Sequence, residues 1–234
     1  MDLKDKSVMI TGGSSGIGYE TAKLCVKRGA KVMIIGRNES ALQLAAAKLG
    51  ASYCVADVSK EEDCQRMVKQ TLEQFGALDV LVNNAGFGYF APLIEMDLDK
   101  MKEVYATNVF GAMLAAKYCA LHFVSQQSGN IINISSTAGR SGFAMGGAYS
   151  SSKFALTSMT ECWRAELRKH NIRVMQVNPS EVQTQFVPNS GGEARPYNET
   201  KLHAVDIAHA ILSMLEMEDR GFITELTVFA TNPK

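Results

Sequence analysis

Two side chains that could exchange a proton lie close together in the segment Tyr149-Ser150-Ser151-Ser152-Lys153. They are four residues apart, so a helix places the phenol and the ammonium on one face. A free tyrosine titrates near pH ~10, and a nearby lysine cation stabilises its phenolate. Tyr149 could then pass a proton to an alkoxide that develops as a carbonyl group is reduced. The alternative is a polar surface-helix face, because Tyr-x-x-x-Lys pairs are common by chance.

A serine hydroxyl precedes this pair. Ser136 ends a predicted strand, thirteen residues before Tyr149. Glycines in the loop between them could fold the two hydroxyls together over one substrate oxygen; they are Gly139, Gly142, Gly146 and Gly147. The alternative for Ser136 is a cap or turn hydroxyl.

A second glycine-rich turn follows the first predicted strand and leads directly into a helix. Glycines at such a turn let backbone N–H groups approach phosphate oxygens, and the helix N-terminus adds unpaired donors and a partial positive charge. The turn therefore predicts a dinucleotide pyrophosphate site, with a purely structural turn as the alternative. The predicted contacts are Gly12, Ser14, Ser15, Gly16, Ile17 and Gly18.

The end of the second predicted strand bears on which dinucleotide binds. An acidic residue there would bind the ribose 2′-hydroxyl of NAD, whereas an arginine pairs with the 2′-phosphate of NADP. The chain has Gly36 and then Arg37 at this point. The sequence favours NADP(H) and leaves NAD(H) possible, since Arg37 could be a solvated loop cation.

The elements that must position these residues alternate between short apolar runs and helical patterns. Continuous apolar runs are typical of parallel strands covered on both faces. The predicted strands are Ser7–Thr11, Lys31–Ile35, Ser52–Ala56, Val80–Asn83, Asn130–Ser135, Ile172–Val177 and Ile223–Val228. The predicted helices cover residues 16–28, 39–49, 60–75, 98–126, 148–169 and 204–217, with Ser59 as the N-cap of the third.

This alternation predicts an α/β fold with one seven-stranded parallel sheet, doubly wound, with helices on both faces. No composition break divides residues 1–234, so we expect a single domain. The long helix at 98–126 is apolar nearly all round, which indicates coverage by more than its own sheet. We therefore expect a homodimer or a homotetramer.

Composition excludes several classes of partner. Lys plus Arg and Asp plus Glu both number 24, so the zero formal charge gives no reason to expect nucleic acid or an anionic membrane. A charged N-terminal segment without a following apolar stretch shows no signal peptide, and no stretch is apolar enough for a span. The widely spaced cysteines predict neither a metal site nor disulfides, and they fit a cytoplasmic protein; they are Cys25, Cys54, Cys64, Cys119 and Cys162.

Taken in order, these motifs resemble those of the short-chain dehydrogenase/reductase family, in its branch of single-domain, Rossmann-like members. The resemblance covers nearly the whole chain. The matching residues are Thr11-Gly-x-x-x-Gly16-x-Gly18, Asp57, Asn83-Asn84-Ala85-Gly86, Asn108, Ser136 and Tyr149-x-x-x-Lys153.

The resemblance implies a role for each position. Tyr149 would be the proton donor and acceptor, and Ser136 would orient the substrate oxygen. Lys153 would lower the pKa of Tyr149 and hold the nicotinamide ribose, and Asn108 would anchor a water relay. Asp57 and Val58 resemble the adenine-binding pair, and Asn84, Ala85 and Gly86 would lie beside the cofactor. After the sixth strand, Pro179, Val182 and Thr184 match nicotinamide-contacting positions, although Ser180 and Glu181 depart from the family pattern.

Substrate contacts are expected from Ser136, Tyr149, Met145 and Phe186, among mainly apolar walls that also include Phe87, Tyr89, Phe90 and Ala138. Residues 185–202 would form a short substrate loop, mobile at 188–200. The expected activity is NADP(H)-dependent hydride transfer between a carbonyl and an alcohol of a small molecule. The alternatives are a dinucleotide-binding regulatory or scaffold protein with little turnover and, with less support, a methyltransferase.

Overall fold

Seven strands form one parallel sheet in the computed structural model, which describes residues 1–193 and 196–232. Their order is β3-β2-β1-β4-β5-β6-β9. They are β1 (Ser7–Thr11), β2 (Lys31–Gly36), β3 (Ser52–Val55), β4 (Val80–Asn83), β5 (Gly129–Ile134), β6 (Ile172–Pro179) and β9 (Glu225–Val228). The order reverses between β1 and β4, and open parallel sheets bind ligands at the carboxyl ends of strands beside such a reversal.

Helices follow the strands and cover both faces. They are α1 (Gly16–Lys27), α2 (Glu39–Leu49), α3 (Glu61–Phe75), α4 (Leu98–Tyr105), α5 (Ala112–Gln126), α6 (Gly147–Leu167), α7 (Phe186–Asn189) and α8 (Ala204–Leu215). Short 3₁₀ turns lie at Leu93–Glu95, Thr137–Gly139 and Arg168–His170. Gly50 and Gly76 end α2 and α3 with φ of 68° and 76°, which a side chain would resist. No described helix is both long and apolar enough to cross a bilayer.

Alternate residues of each central strand enter opposite halves of the core. Val8 and Ile10 of β1 lie in a cluster with apolar residues of α1, α2 and α8, whereas Met9 lies in a second cluster with residues of α3 and α5. All three side chains are fully buried. The continuous apolar runs of the sequence follow from this two-sided burial, and the Rossmann-like, single-domain α/β fold with a seven-stranded parallel sheet is confirmed.

Element ends differ slightly from the prediction. β6 extends two residues further, to Pro179, and β9 begins at Glu225 rather than at Ile223. Ser59 is not the N-cap of α3; Lys60 holds that position, because the Ser59 hydroxyl instead donates to Asp57 Oδ1 at 2.8 Å.

The predicted continuous helix at 98–126 is wrong. A π-helical segment, Ala106–Gly111, separates α4 from α5. Asn108 lies in this segment, and its side-chain amide bonds to the loop after β4 rather than facing outward. Gly111 allows the segment to approach Val58, since a Cβ on Gly111 would lie 2.7 Å from Val58 Cγ2. The wider turn therefore places a polar side chain at the sheet edge without ending the helix.

The predicted substrate loop contains more structure than expected. β7 (Val182–Gln183) and β8 (Leu202–His203) pair in parallel across its two ends, and α7 lies within it. The Gln183 side chain donates to Pro196 O at 2.8 Å and accepts from Asn198 N at 2.8 Å. We call residues 184–201 the lid. Ala194 and Arg195 of this segment, like Pro233 and Lys234 at the C-terminal end, lie outside the described residues.

Candidate active site

Tyr149 and Lys153 lie one turn apart on α6, and both are buried, with exposed fractions of 9% and 5%. Lys153 Nζ donates to Ile134 O at 2.8 Å, so the end of β5 fixes the ammonium. It lies 5.8 Å from the centre of the Tyr149 ring. The buried pair therefore holds a phenol and an amine with little access to water.

Burial governs the titration of both groups. It raises the pKa of Tyr149 to about 12, against a hydrogen bond from Ser136 that lowers it. Burial also lowers the pKa of Lys153 to about 8. The expected lowering of the Tyr149 pKa by Lys153 is therefore not seen in the protein alone, because loss of hydration outweighs the other effects. A phenol with a raised pKa is a proton donor in its resting state.

Ser136 has the cap role that the sequence allowed. Its Oγ caps the 3₁₀ turn Thr137–Gly139 by accepting from Ala138 N at 3.1 Å and donates to Pro179 O at 3.5 Å. It is also close enough to the Tyr149 phenol to lower the pKa of that group. Gly139 brings this turn against α6, since a Cβ there would lie 2.9 Å from Lys153 O. The close approach of turn and helix joins the two hydroxyls.

Asn108 ties the π-helical segment to two other parts of the site. Its Nδ2 donates to Phe87 O at 2.9 Å and to Ser152 Oγ at 3.1 Å, and its Oδ1 accepts from Phe87 N at 3.1 Å. Gly86 lies directly beside it: a Cβ at Gly86 would be 3.0 Å from Asn108 Oδ1 and 3.6 Å from Lys153 Nζ. The structure thus brings Asn108, Ser136, Tyr149 and Lys153 to one end of the sheet. Ser152 is a partner that sequence reasoning missed.

The glycine-rich turn has the shape of a phosphate cradle. Gly12 and Gly16 have φ of 65° and 56°, and a Cβ on Gly18 would lie 2.4 Å from Gly12 O. Gly16 begins α1, whose first N–H groups have no partner within the helix. Side chains at these glycine positions would block access to the backbone N–H groups of the turn and of the start of α1. Because the positions are glycines, the turn fits a dinucleotide pyrophosphate. Ser14 and Ser15 lie in the same turn, and Ile17 lies in the first turn of α1.

Asn84 holds this turn in place. Its Nδ2 donates to Thr11 O at 2.9 Å and Gly12 O at 3.1 Å, while Thr11 Oγ1 accepts from the N–H groups of Asn84 and Ala85, each at 3.0 Å. The loop after β4 is therefore bonded to the turn after β1. Within the described chain the side-chain amide of Asn84 donates to the protein's own backbone.

Residues expected near the adenosine half lie at the other end of the same edge. Arg37 is exposed directly after β2 and makes no hydrogen bond or ion pair with a described residue. Asp57 Oδ1 accepts from Ser59 N and Oγ at 3.0 and 2.8 Å, so this carboxylate caps a turn. Val58 is buried against the π-helical segment.

The lid begins beside the glycine-rich turn. Pro179 ends β6 and Val182 lies in β7, and Thr184 is 3.5 Å from the position of a Cβ on Gly16. Thr184 Oγ1 accepts from Phe186 N at 3.1 Å. The Glu181 carboxylate forms an ion pair with Lys201 at 2.9 Å, so this departure from the family pattern is compensated locally.

Aromatic rings surround the Tyr149 phenol on the substrate side. Phe186 and Phe90 have ring centres 5.2 and 5.7 Å from that of Tyr149, and Phe143 lies 6.1 Å from Phe90. Met145 is half exposed nearby in a left-handed conformation, φ 68°, and its O accepts from Ala91 N. Tyr89 instead hydrogen-bonds the backbone of Asp97. Sequence reasoning missed Phe143, although it is the single aromatic residue between Ser136 and Tyr149.

Comparison with known proteins agrees with this geometry. A family model described as short chain dehydrogenase matches residues 6–194. An uncharacterised oxidoreductase of Staphylococcus saprophyticus is 32% identical, with 97% of this chain and 98% of the relative aligned.

Two solved structures share the whole fold. An alcohol dehydrogenase from Thermococcus sibiricus in complex with 5-hydroxy-NADP superposes with a TM-score of 0.89 at 27% identity, covering 98% of this chain and 99% of that one. A 3-ketoacyl-(acyl-carrier-protein) reductase from Brucella melitensis in complex with NADH gives a TM-score of 0.90 at 27% identity, covering 98% of both chains. The chain therefore belongs to the short-chain dehydrogenase/reductase family and is an oxidoreductase that acts on CH–OH or C=O groups with a nicotinamide dinucleotide.

Proposed function

We propose that the chain is an NADP(H)-dependent carbonyl reductase or alcohol dehydrogenase in which Tyr149 transfers the proton. The observation that carries this proposal is the buried Tyr149 phenol, which lies beside Ser136 and one helical turn from Lys153. A bound nicotinamide supplies the hydride acceptor or donor at its C4 atom. The residues described above would hold the dinucleotide along the edge from Arg37 to Thr184.

The chain's own groups orient the substrate and move the proton. Ser136 Oγ would donate to the substrate oxygen and fix its position beside the Tyr149 hydroxyl. Tyr149 would donate its proton as the carbonyl becomes an alcohol, or accept it in the reverse direction. Lys153 would stabilise the phenolate, and Asn108 would hold the loop and helix on either side of it. Water is excluded by the burial of both groups, which strengthens these interactions.

Tyr149→Phe tests the proton transfer. We expect a fall in turnover on the order of 10²-fold or more, because a general acid contributes that much, with nearly unchanged nucleotide affinity. NADPH absorbance against aldehydes, ketones and quinones measures turnover, and equilibrium titration measures binding. Tyr118→Phe is the matched control, since its hydroxyl bonds Glu61 on the surface. Near-normal turnover of Tyr149→Phe would refute the assignment, and tight nucleotide binding without turnover of any carbonyl would favour the regulatory alternative.

The preference for NADP(H) rests on Arg37. An exposed guanidinium at the end of β2, without a protein partner in the described chain, is placed to pair with a 2′-phosphate. Arg37→Ala should weaken NADPH affinity by about tenfold to 100-fold and leave NADH affinity unchanged, as expected for one charged hydrogen-bonding group. Lys48→Ala removes an exposed cation at the far end of α2 as a control. Stronger binding of NADH than NADPH by the unaltered protein would refute the preference.

The assembly and compartment complete the proposal. Phe110 of the π-helical segment, Leu121 of α5 and Phe154 of α6 are large exposed apolar side chains, which favours a homodimer or homotetramer through these helices. A monomeric mass by light scattering would contradict this.

All five cysteines are free thiols, four of them buried, which suits the reducing cytoplasm.

A further inference from the structure

The aromatic cluster around Tyr149 consists of three phenylalanine rings from three separate segments. Phe90 follows β4, Phe143 lies in the loop before α6, and Phe186 begins α7 of the lid. The Phe90 and Phe186 ring planes are inclined by 60° and 57° to that of Tyr149, and their own centres are 6.5 Å apart. These are the edge-to-face and tilted arrangements that aromatic rings prefer.

Glycines make this clustering possible. A Cβ on Gly88 would lie 2.7 Å from the Phe90 ring and 3.1 Å from the Phe186 ring. A Cβ on Gly146 would lie 2.7 Å from the Phe143 ring. The phenylalanine rings therefore pack directly against the backbone at Gly88 and Gly146, where no side chain occupies the space beside them. The walls nearest the reacting hydroxyl are aromatic and flat.

The segments that supply the rings carry almost no charge. Residues 87–91, 136–149 and 184–190 contain one charged side chain, Arg140. Its guanidinium forms an ion pair with Glu225 of β9, so its charge is already compensated. Within these described segments a phosphate or carboxylate on a substrate would meet no free cation, and an unpaired charge is costly to remove from water.

We propose that the substrates of this site are uncharged six-membered cyclic carbonyl compounds and the corresponding cyclic alcohols, bound against Phe90 and Phe186 with the oxygen at Tyr149. This inference rests on the proposed function. In reduction, the carbonyl carbon receives the hydride from the reduced nicotinamide and the oxygen receives the proton of Tyr149, which leaves the alcohol and the oxidised cofactor. A six-membered ring packs its C–H groups against both phenylalanine rings at once, whereas an open chain makes fewer such contacts and loses internal rotations on binding.

A pair of enones with equal carbon number tests the ring preference. Cyclohex-2-enone should exceed hex-3-en-2-one in kcat/KM by about tenfold, as expected for two favourable aromatic contacts. The same comparison between 4-methylcyclohexanone and 4-oxocyclohexanecarboxylate isolates charge, and the carboxylate should lose at least about tenfold. Equal or better use of the open-chain or anionic compound would overturn the inference.

Phe186→Leu and Phe90→Leu locate the preference in these rings. Each keeps an apolar side chain but removes aromatic contact, so each should reduce the ratio of cyclic to open-chain kcat/KM severalfold towards unity. Phe229→Leu is the matched control, since Phe229 is 66% exposed and outside the cluster. Circular dichroism and NADPH affinity confirm that a variant is folded. An unchanged ratio in folded Phe186→Leu and Phe90→Leu would overturn the inference.

A binding measurement separates this inference from the proposed function. δ-Valerolactam is a six-membered ring that a hydride-transferring enzyme does not reduce, and N-ethylpropanamide is an open-chain counterpart. Titration of the nucleotide-bound protein should show tighter binding of the lactam, lost in Phe186→Leu. If lactam binding follows this pattern while no carbonyl is turned over, the ring site stands and the proposed function fails. If carbonyls turn over but neither ring preference exists, the function stands and the ring site fails.

Discussion

The two sides of the active site are held by different kinds of structure. The catalytic floor consists of Asn108, Ser136, Tyr149 and Lys153, which lie on β5, α6 and their neighbouring segments and bond to backbone groups of the core. The lid is held by a two-residue strand pair, by the Gln183 amide, by the ion pair between Glu181 and Lys201, and by a hydrogen bond from Gly88 N to Ser190 Oγ at 2.8 Å. Asn108, Tyr149 and Lys153 of the floor are buried and Ser136 is partly buried, whereas every described residue of the lid is partly or fully exposed.

This difference separates the residues that carry out the chemical step from the residues that select the substrate. Groups that stabilise a transition state are most effective when they do not have to reorganise, and the floor meets that condition. Residues that choose the substrate tolerate movement, and the lid contributes only Phe186 to the rings around Tyr149. Changes to the floor should therefore reduce kcat or stability, whereas changes to the lid should alter KM.

The largest effect is expected from Lys153→Met. Methionine fills the buried space of the lysine chain but carries no charge to stabilise the Tyr149 phenolate. We expect kcat to fall on the order of 10²- to 10⁴-fold, the range for loss of acid–base function. Lys100→Met is the matched control, because Lys100 lies 5.4 Å from a tyrosine ring, that of Tyr89, but outside the floor. Steady-state rates at saturating NADPH measure the change, and a loss smaller than tenfold would show that the floor does not depend on this cation.

Asn108→Ala should have the next largest effect. It removes three hydrogen bonds that join the π-helical segment to Phe87 and Ser152, at a cost of about 2–4 kcal/mol in the free energy of unfolding. Asn83→Ala is the control, since its buried amide donates to Ala112 O and Asn133 Oδ1 away from the phenol. Denaturant unfolding gives the stability of both. We expect kcat of the folded protein to fall only in Asn108→Ala. Equal kcat values in both variants would show that Asn108 has only a structural role.

A pH dependence of stability follows from the buried lysine in the nucleotide-free protein. Burial lowers the pKa of Lys153 from 10.5 to about 8, so between these pH values the unfolded chain binds a proton that the folded chain does not. Lys153 therefore contributes a rise in stability with pH across this window, by at most about 3 kcal/mol. From about pH 9 buried thiols act in the opposite direction, because burial raises the pKa of Cys25 and Cys64 from 9.0 to about 12 and the unfolded chain loses those protons first. Tyr149, whose pKa burial raises from 10.0 to about 12, adds to this fall above pH 10.

Urea unfolding of the unaltered protein and of Lys153→Met from pH 7.5 to 10 isolates the lysine contribution as the difference between the two stability profiles. The unaltered protein and Lys100→Met should both gain stability relative to Lys153→Met as the pH rises. A difference that does not change with pH would mean that Lys153 keeps its hydration in the folded state.

Sequence reasoning located the floor better than the lid, for physical reasons. The strands were recognisable because two-sided burial demands continuous apolar runs, and the proximity of Ser136, Tyr149 and Lys153 follows from a strand end and one helical turn. The π-helical segment was missed because one extra residue in a turn leaves the apolar pattern of residues 98–126 nearly unchanged. β7 and β8 were missed because two-residue strands show no periodicity, and the bonds of Gln183 to Pro196 and Asn198 depend on a chain reversal that no local pattern marks.

The smallest effect is expected at the lid. Ser190→Ala removes the acceptor for Gly88 N, which is one neutral hydrogen bond worth about 1 kcal/mol. The closed lid should lose stability by that amount, so KM should rise about threefold to tenfold while kcat stays unchanged. Ser213→Ala is the control, because its hydroxyl donates only to Ala210 O within α8. Steady-state kinetics measure both constants. If Ser190→Ala lowered kcat and left KM unchanged, the lid would contribute to the chemical step, and the division between a catalytic floor and a selecting lid would be wrong.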